Sequence, residues 1–285
     1  MTAAAPGAIG VIGGGRMGAG IAQSFAAAGS SVTVVESDEA AAAAALERIE
    51  SALRRAAERG KLAGPPEQVL ARIETVDSVD RLSPDAELVV EAVPEDAALK
   101  ASLLTAVEER VGEATVLATN TSSLSVTELA APLSRPARFL GMHFFNPVPA
   151  SELVELVIAP ETAEETVRSA MAWTHALGKT DVVIKDSPGF ASSRLGVALG
   201  LEAIRMVEEG VATPKAIDDA MRLGYRHPMG PLRLTDLVGL DVRLAIAEYL
   251  HSRLGERFTP PRLLREKVAR GELGRKTGQG FYTWP

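Results

Sequence analysis

A glycine-rich string near the start of the chain most constrains its fold. The string, GGGRMG at residues 13–18, follows the short apolar run AIGVI and opens an alanine-rich stretch from 16 to 28. The β-branched run predicts a buried strand, and the alanine-rich stretch predicts a helix. A strand joined to a helix by glycines is typical of the opening of a β–α–β unit, whose next strand runs parallel to the first.

Strand-like runs and helical stretches alternate up to about residue 187, and only helical stretches follow. This pattern predicts an α/β fold, with a Rossmann-type, doubly wound and mostly parallel sheet at 1–187 and an all-helical domain at 188–285. The predicted strands are 8–12, 32–36, 87–93, 115–119, 139–143, 153–158 and 181–184. The predicted helices are 16–28, 39–59, 97–111, 162–177, 190–209, 214–222, 231–253 and 262–270.

The composition excludes several kinds of chemistry. With 30 basic and 37 acidic residues the net charge is −7, which disfavours nucleic-acid and membrane-surface partners. The sequence has no cysteine, which excludes disulfides, thiolate metal sites and a cysteine nucleophile. No apolar run approaches the roughly 18 residues of a transmembrane helix. The four histidines lack metal-ligand spacing, and the first residues lack the basic segment of a signal peptide. We therefore expect a cytoplasmic protein without a metal.

The glycine string has the G-x-G-x-x-G spacing of dinucleotide-binding turns, at Gly13, Gly15 and Gly18. The first glycine permits the tight turn, the second lets a pyrophosphate approach, and the third lets helix and strand pack closely. Glu36 lies 18 residues after Gly18, where a carboxylate binds ribose hydroxyls and repels a 2′-phosphate. The pattern predicts NAD over NADP, a preference that the nearby cation of Arg16 weakens slightly. A purely structural glycine turn is the alternative interpretation.

A histidine and a glutamate suggest acid/base chemistry. His143 ends a predicted strand, and Glu155 lies 12 residues later within the apolar run LVELVI. A carboxylate in such a run is costly to bury unless it is paired. Pairing with His143 would orient the imidazole and make a dyad that could exchange a carbinol proton. A core histidine and an exposed strand carboxylate are the alternatives.

The string NTSS at residues 120–123 also follows a predicted strand. Its small polar side chains could bind a substrate oxygen or the nicotinamide, or they could cap the next helix. A serine hydrolase is not supported, because the sequence contains no G-x-S-x-G elbow.

Eight motifs occur in order along nearly the whole chain: VIGGGRMGAGIAQ, VVEAVPED, ATNTSSL, GMHFFNPVP, LVELV, KDSPGF, HPMGPLRLTDLVGLD and GRKTGQGFY. Together they make the chain resemble the short-chain L-3-hydroxyacyl-CoA dehydrogenase family, which includes 3-hydroxybutyryl-CoA dehydrogenases. The resemblance implies reversible, NAD-dependent oxidation of an L-3-hydroxyacyl-CoA to the 3-ketoacyl-CoA, in fatty-acid metabolism. It also implies an N-terminal NAD domain, a helical C-terminal domain that forms a homodimer, and an active site in the cleft between the domains.

The same resemblance implies roles for individual residues. His143 resembles the catalytic histidine, Glu155 its carboxylate partner, and Ser122 the serine that contacts the substrate hydroxyl and the nicotinamide. The implied NAD contacts are Gly13, Gly14, Gly15, Arg16, Met17, Gly18, Glu36, Glu95, Lys100, Asn120, Ser122, Asn146 and Lys276.

Among the residues implied to bind the substrate, the sequence departs from the family pattern at one position. Family members commonly carry an asparagine before Arg-Leu in the stretch after DSPGF, and this chain has Ser193 there. Ser193 either reaches the substrate through a water, accompanies a different substrate, or is a neutral replacement at a helix start.

Basic residues in and just after the second predicted helix are the candidates for binding the phosphates of CoA. Arg55 and Arg59 are the candidate phosphate contacts, with Arg54 and Lys61 beside them. A solvated helix face is the alternative interpretation of this charge run.

Two other functions stay open at this point. One is a dehydrogenase of a free hydroxy acid on the same scaffold, and the other is an NAD-binding protein without catalysis. The 3-hydroxyisobutyrate and 6-phosphogluconate dehydrogenases share the architecture but use a lysine on the first interdomain helix. The stretch 190–209 contains no lysine, which argues against those two families.

Overall fold

The computed structural model of the chain describes residues 4–62 and 64–285. It divides into two compact units, one ending at Asp186 and one running from Ser187 to Pro285. The first unit is built on a sheet and the second is helical, which confirms the predicted fold class. None of the described helices is both long and apolar enough to cross a membrane.

The first unit contains an eight-stranded sheet in the order β3-β2-β1-β4-β5-β6-β7-β8. Every neighbouring pair is parallel except β6 and β7, which are antiparallel. Most strands are buried on both faces, so their sequences read as continuous apolar runs. The strands are β1 (Ala8–Ile12), β2 (Ser31–Val35), β3 (Ile73–Val76), β4 (Leu88–Glu91), β5 (Val116–Thr119), β6 (Phe139–Phe144), β7 (Leu153–Ile158) and β8 (Thr180–Lys185).

Helices connect these strands, and side-chain caps fix where the two longest begin. Asp38 accepts a hydrogen bond from the Ala41 amide (2.8 Å), and Asp96 accepts one from the Leu99 amide (2.8 Å). The helices of this unit are α1 (Arg16–Ala27), α2 (Glu39–Glu58), α3 (Pro66–Leu70), α4 (Ala97–Arg110), α5 (Val126–Ala130) and α6 (Glu164–Ala176).

Strand β3 is absent from the sequence prediction, as are the short helices α3 and α5. β3 consists of the four residues IETV and lies at the edge of the sheet, where only its two end residues are buried. A run this short and half polar shows too little periodicity to be recognised without its neighbour.

The second unit packs its helices around one apolar core. The predicted single helix at 231–253 is wrong, because Gly239 interrupts it with a φ of +107°. The predicted helix at 214–222 ends earlier, at Asp219, and continues as a wider turn from Ala220 to Gly224. The helices are α7 (Ser192–Glu208), α8 (Pro214–Asp219), α9 (Pro231–Val238), α10 (Leu240–Leu254) and α11 (Arg262–Ala269).

Asp236 of α9 fixes the last residues of the chain to this core. The carboxylate is 1% exposed and accepts hydrogen bonds from the Phe281 amide, the Tyr282 amide and the Trp284 Nε1, each 2.9 Å long. Fixed N–H donors of this kind satisfy a buried carboxylate without a cation. The GQGFY part of the last sequence motif therefore has a structural role in this unit.

Asp218 of α8 makes a second anchor. It accepts hydrogen bonds from the Leu232 amide (2.8 Å), the Arg233 amide (2.9 Å) and the Tyr282 hydroxyl (2.7 Å). Burial and this carboxylate raise the pKa of the Tyr282 hydroxyl far above its usual range, which keeps the hydroxyl a donor.

Candidate active site

The candidate site lies at the carboxyl edge of the sheet in the first unit. Strands β1, β4, β5 and β6 are parallel neighbours, so the segments that follow them meet at this edge. These segments are the glycine turn, the loop 92–96, the NTSS string and the end of β6 with its following loop. In doubly wound sheets this edge carries the ligand crevice.

The glycine turn has the conformation and the free space that a pyrophosphate needs. Gly13 has a φ of +90°, and a Cβ on Gly18 would lie 1.7 Å from the Gly13 carbonyl oxygen. A Cβ on Gly15 would meet nothing within 4 Å. The turn is therefore closed on its inner side and open where Gly15, Arg16 and the N-terminus of α1 face outward, which fits a dinucleotide.

Glu36 lies at the end of β2, beside this turn. Its Oε1 accepts a hydrogen bond from the Gly14 amide (2.6 Å), and Arg48 of α2 donates to the Gly14 carbonyl (2.6 Å). Arg48 was missed by the sequence analysis, because nothing in a helical charge pattern shows which cation reaches a distant carbonyl. Glu36 also lines a cavity of about 470 Å³ with apolar walls from Val35, Val79, Pro94, Leu99 and Leu103. That cavity suits an adenosine.

His143 and Glu155 form a buried pair. Strands β6 and β7 place them directly opposite each other, and His143 Nδ1 lies 2.8 Å from Glu155 Oε2. The exposed fractions of these residues are 7% and 1%. The ring of Phe145 contacts the imidazole, with the ring centroids 4.4 Å apart and the ring planes tilted by 45°. The pair is thus held in one orientation by the sheet and shielded by an aromatic ring.

A second cavity, of about 340 Å³, opens beside this pair. Asn120 is oriented within its wall, because its Oδ1 accepts a hydrogen bond from the Phe144 amide (2.9 Å). The cavity is lined by Met17, Ala92, Val93, Glu95, Lys100, Asn120, Ser122, His143, Phe144, Phe145 and Asn146. One cavity thus brings together seven of the residues that the sequence analysis assigned to catalysis or to NAD.

Glu95 binds the start of the NTSS segment. Its Oε1 accepts hydrogen bonds from the Thr121 hydroxyl (2.7 Å), the Ser122 amide (3.0 Å) and the Ser123 amide (3.1 Å). It also accepts from the hydroxyls of Ser122 (3.3 Å) and Ser123 (3.0 Å). Burial alone would raise the pKa of Glu95, but the Thr121 hydroxyl, the Lys100 ammonium and the serine donors outweigh it and lower that pKa. Glu95 therefore stays ionised and holds both serines.

Lys100, which lines this cavity, forms a fully buried ion pair with Glu91, which does not line it. Lys100 Nζ lies 2.6 Å from Glu91 Oε1 and 3.5 Å from Glu95 Oε2. The lysine is 1% exposed and the glutamate 0%. Glu91 was not predicted from the sequence, although a charged residue inside the apolar run VVEAV was the available signal.

The remaining predicted site residues lie elsewhere. Lys276 is paired with Asp241 (2.5 Å) and Ser193 is half-buried in the first turn of α7, both in the second unit. Arg55 is exposed and donates to the Ser51 hydroxyl (2.7 Å), and Arg59 is exposed just after α2. Within residues 4–62 and 64–285, no three His, Asp or Glu side chains are placed to hold a metal ion.

The family models match almost the whole chain. The model of the 3-hydroxyacyl-CoA dehydrogenase NAD-binding domain matches residues 8–187, and that of the 3-hydroxyacyl-CoA dehydrogenase C-terminal domain matches residues 189–284.

Individual relatives agree with these models. A 3-hydroxybutyryl-CoA dehydrogenase of Mycobacterium tuberculosis is 43% identical over 280 residues, covering 97% of this chain and 98% of the relative. The solved structure of the (S)-3-hydroxybutyryl-CoA dehydrogenase of Ralstonia eutropha has a TM-score of 0.93 and 41% identity, covering 99% of this chain and all of that one. A diketoreductase described as acting on dicarbonyl compounds has a TM-score of 0.87 and 28% identity, covering 98% of this chain and 99% of that one.

The glycine turn with Glu36 and the two cavities fit an NAD-binding domain, which is what the family model of residues 8–187 describes. The two family models match both halves of the sequence, and the Mycobacterium tuberculosis relative aligns with 97% of it. The chain therefore belongs to the 3-hydroxyacyl-CoA dehydrogenase family and is an NAD-dependent oxidoreductase.

Proposed function

We propose that this enzyme catalyses the reversible oxidation of a short-chain L-3-hydroxyacyl-CoA to the 3-ketoacyl-CoA, with NAD. The observation that carries the proposal is the buried His143–Glu155 pair beside a cavity that Ser122, Asn120 and Asn146 also line. Mere cofactor binding requires no such pair, so the arrangement favours catalysis over a binding protein. The names of the relatives support the acyl-CoA substrate.

His143 is the proposed acid and base. In the oxidising direction it takes the proton of the substrate hydroxyl, and in the reducing direction it returns that proton to the carbonyl oxygen. Glu155 holds Nδ1, so it fixes the ring orientation and stabilises the imidazolium that forms. Bound NAD+ supplies the acceptor for the hydride that leaves C3. Glu155 is the orienting carboxylate and His143 the group that touches the substrate.

Ser122 is proposed to bind the reacting oxygen, with Asn120 and Asn146 positioning the substrate and the ring. NAD would be held by the turn from Gly13 to Gly18 and by Glu36, whose carboxylate would bind the ribose. Further proposed NAD contacts are Met17, Glu95, Lys100, Asn120, Ser122, Asn146 and Lys276.

The contacts to the acyl-CoA substrate and the oligomeric state of the enzyme are also proposals. Arg55 and Arg59 would contact the CoA phosphates, since both are exposed, and Ser193 would contact the substrate.

The second unit would form the homodimer. It exposes large apolar side chains at Leu195 (71%), Leu223 (76%) and Tyr225 (76%), which a homodimer interface would bury. Sedimentation of the purified protein as a monomer would contradict the dimer. A cytoplasmic role in fatty-acid metabolism is proposed with them.

The decisive experiment follows NADH consumption with acetoacetyl-CoA. Rapid turnover with NADH and slow turnover with NADPH are expected. His143→Gln should lower kcat by about 10²- to 10⁴-fold while NADH affinity is retained. Near-native kcat in this variant would show that His143 is not the acid/base.

A free keto acid or dicarbonyl compound is the second candidate substrate class. The diketoreductase similarity and the serine at position 193 favour it. Assays of acetoacetate and a simple diketone beside acetoacetyl-CoA distinguish the two classes. Turnover of the free compounds alone would replace the acyl-CoA proposal.

A further inference from the structure

Glu91 is the most buried titratable group near the site, and the proposed mechanism does not use it. Its Oε1 accepts hydrogen bonds from Lys100 Nζ (2.6 Å) and the Val93 amide (2.7 Å). Its Oε2 accepts one from the Thr119 hydroxyl (2.6 Å). Glu91 is 0% exposed and does not line the 340 Å³ cavity, so any effect on the reaction passes through its partners.

Lys100 is the partner that leads to the cavity. Its ammonium lies between two carboxylates, 2.6 Å from Glu91 and 3.5 Å from Glu95 Oε2, and it also donates to the Val93 carbonyl (3.1 Å). Glu91 is the nearer of the two and takes the shorter bond. Glu95 therefore keeps its other oxygen, Oε1, for the Thr121 hydroxyl and for Ser122 and Ser123.

These two sets of bonds compete for Glu95. Both kinds of bond end on an ionised carboxylate, but only the ammonium adds the attraction between two full charges. The low polarity around a buried lysine strengthens its attraction to a carboxylate further. If Glu91 lost its charge, Lys100 would have Glu95 as its remaining carboxylate among the residues that the structure describes. Glu95 would then move toward Lys100 and loosen its bonds to the serines.

We propose that Glu91 is a positioning residue: by holding Lys100, it leaves Glu95 free to fix Ser122 for the reaction. The proposal rests on the proposed function in one respect, the contact of Ser122 with the reacting oxygen. The hold of Glu95 on the serine amides is a property of the protein alone and can be measured without substrate.

The first test compares Glu91→Gln with Glu108→Gln. Glu108 is a matched control, because it is 6% exposed, lies on α4 and accepts hydrogen bonds from the Ser134 and Arg135 amides (2.7 Å each), and it does not line the cavity. Amide hydrogen exchange of residues 121–124 is followed in the ligand-free proteins. Glu91→Gln should speed this exchange, whereas Glu108→Gln should leave it unchanged.

The same variants are then assayed with acetoacetyl-CoA and NADH. A small displacement of a catalytic contact costs up to about 10²-fold, so kcat of Glu91→Gln should fall by roughly 10- to 100-fold. The Glu108→Gln enzyme should keep its kcat, although both variants lose a buried charge.

A double variant separates positioning from simple destabilisation. In Glu91→Gln with Lys100→Gln, no ammonium is left to draw Glu95 away from the serines. Slow exchange at 121–124 should therefore return in the ligand-free protein, a readout that does not depend on the proposed contact of Lys100 with NAD. If Glu91 were only structural, removing a second buried partner would leave the exchange at 121–124 fast or speed it further.

Unchanged exchange in Glu91→Gln overturns the proposal, as does faster exchange with native kcat, or a double variant in which residues 121–124 exchange as fast as in Glu91→Gln. If Glu91→Gln does not fold, Thr119→Val removes one bond to Glu91 without removing charge. Thr119 Oγ1 also accepts from the Thr121 amide (3.3 Å), so exchange is then compared at the Ser122 and Ser123 amides, together with kcat. If the native enzyme does not turn over acetoacetyl-CoA, that result refutes the proposed function instead. The exchange experiment then still decides whether Glu91 controls the hold of Glu95.

Discussion

Buried carboxylates occur in both units, and their partners differ. In the first unit, Glu155 pairs with His143 and Glu91 with Lys100, so these two carboxylates face a group that can carry a proton or a charge, whereas Glu108 accepts from two backbone amides. In the second unit, Asp236 and Asp218 accept hydrogen bonds from backbone amides and aromatic side chains. The cost of burying a carboxylate is offset in both units, but by different chemistry.

This difference indicates what each carboxylate does. Amide donors cannot change their charge, so Asp236 and Asp218 hold segments of chain in place. A histidine at a cavity can gain and lose a proton, so Glu155 orients a group that changes state during a reaction. The type of donor, more than the burial of the acid, separates the candidate catalytic carboxylates from the structural ones.

Glu155→Gln tests the catalytic side of the comparison and should have the largest effect. A glutamine can donate to Nδ1, which would force the imidazole into the tautomer whose other nitrogen cannot accept a proton. We expect kcat to fall by about 10²- to 10⁴-fold, by analogy with loss of the orienting carboxylate in hydrolase triads. Steady-state kinetics measure this, and thermal unfolding checks that the variant is folded. A kcat within a few-fold of native would remove Glu155 from the mechanism.

Asp236→Asn tests the structural side. The asparagine NH₂ would face one of the three N–H donors, so we expect the free energy of unfolding to drop by about 2–4 kcal/mol. NADH affinity of the folded variant should stay native. Denaturant unfolding measures the loss, with Asp241→Asn as control. Asp241 pairs with Lys276 at the surface, so its loss should stay below about 1 kcal/mol. Equal losses in the two variants would contradict the anchoring role of Asp236.

Glu36→Ala asks what a half-buried carboxylate at the same sheet edge does. Removing its charge removes repulsion of a 2′-phosphate and a partner for the ribose hydroxyls. The ratio of the NADPH to the NADH dissociation constant should fall by about 10-fold. Fluorescence titration of both cofactors measures the ratio, and Glu39→Ala, an exposed acid of α2, is the control. A ratio unchanged from the native enzyme would assign cofactor preference to other residues.

Lys179→Met extends the comparison to a buried cation and should have the smallest effect. Lys179 is 8% exposed and donates to the carbonyls of Val148 (2.7 Å) and Ser151 (2.5 Å). Burial lowers its pKa below the ordinary value of 10.5. Between the folded and unfolded pKa values the unfolded chain binds the proton and the folded chain does not, so stability rises with pH in that window.

The Lys179→Met variant should lack this contribution. Denaturant unfolding between about pH 8 and 10 compares it with native protein and with Lys185→Met, which removes an exposed lysine at the end of β8. Parallel stability curves for the native and Lys179→Met proteins would show that the burial of Lys179 does not couple to folding.

Part of the site was predictable because strand ends in a parallel sheet meet at one edge. This rule brings the segments that carry Gly13, Asn120 and His143 together from sequence alone. The pairing of His143 with Glu155 also needs the β6–β7 register, which an isolated apolar run does not specify. The Glu91–Lys100 pair joins a strand to a helix nine residues later, and no periodicity shows which face of that helix turns inward.

The sequence by itself determined the fold class, the glycine turn and the order of the units, because these depend on local periodicity and on glycine at a positive φ. Only the tertiary structure decided the partner of each buried charge. It paired Glu91 with Lys100 and fixed the chain end to Asp236 through Phe281, Tyr282 and Trp284. The reason is physical: hydrogen bonds and ion pairs act over a few ångströms, and residues far apart in the chain reach that distance only after the strands and helices pack.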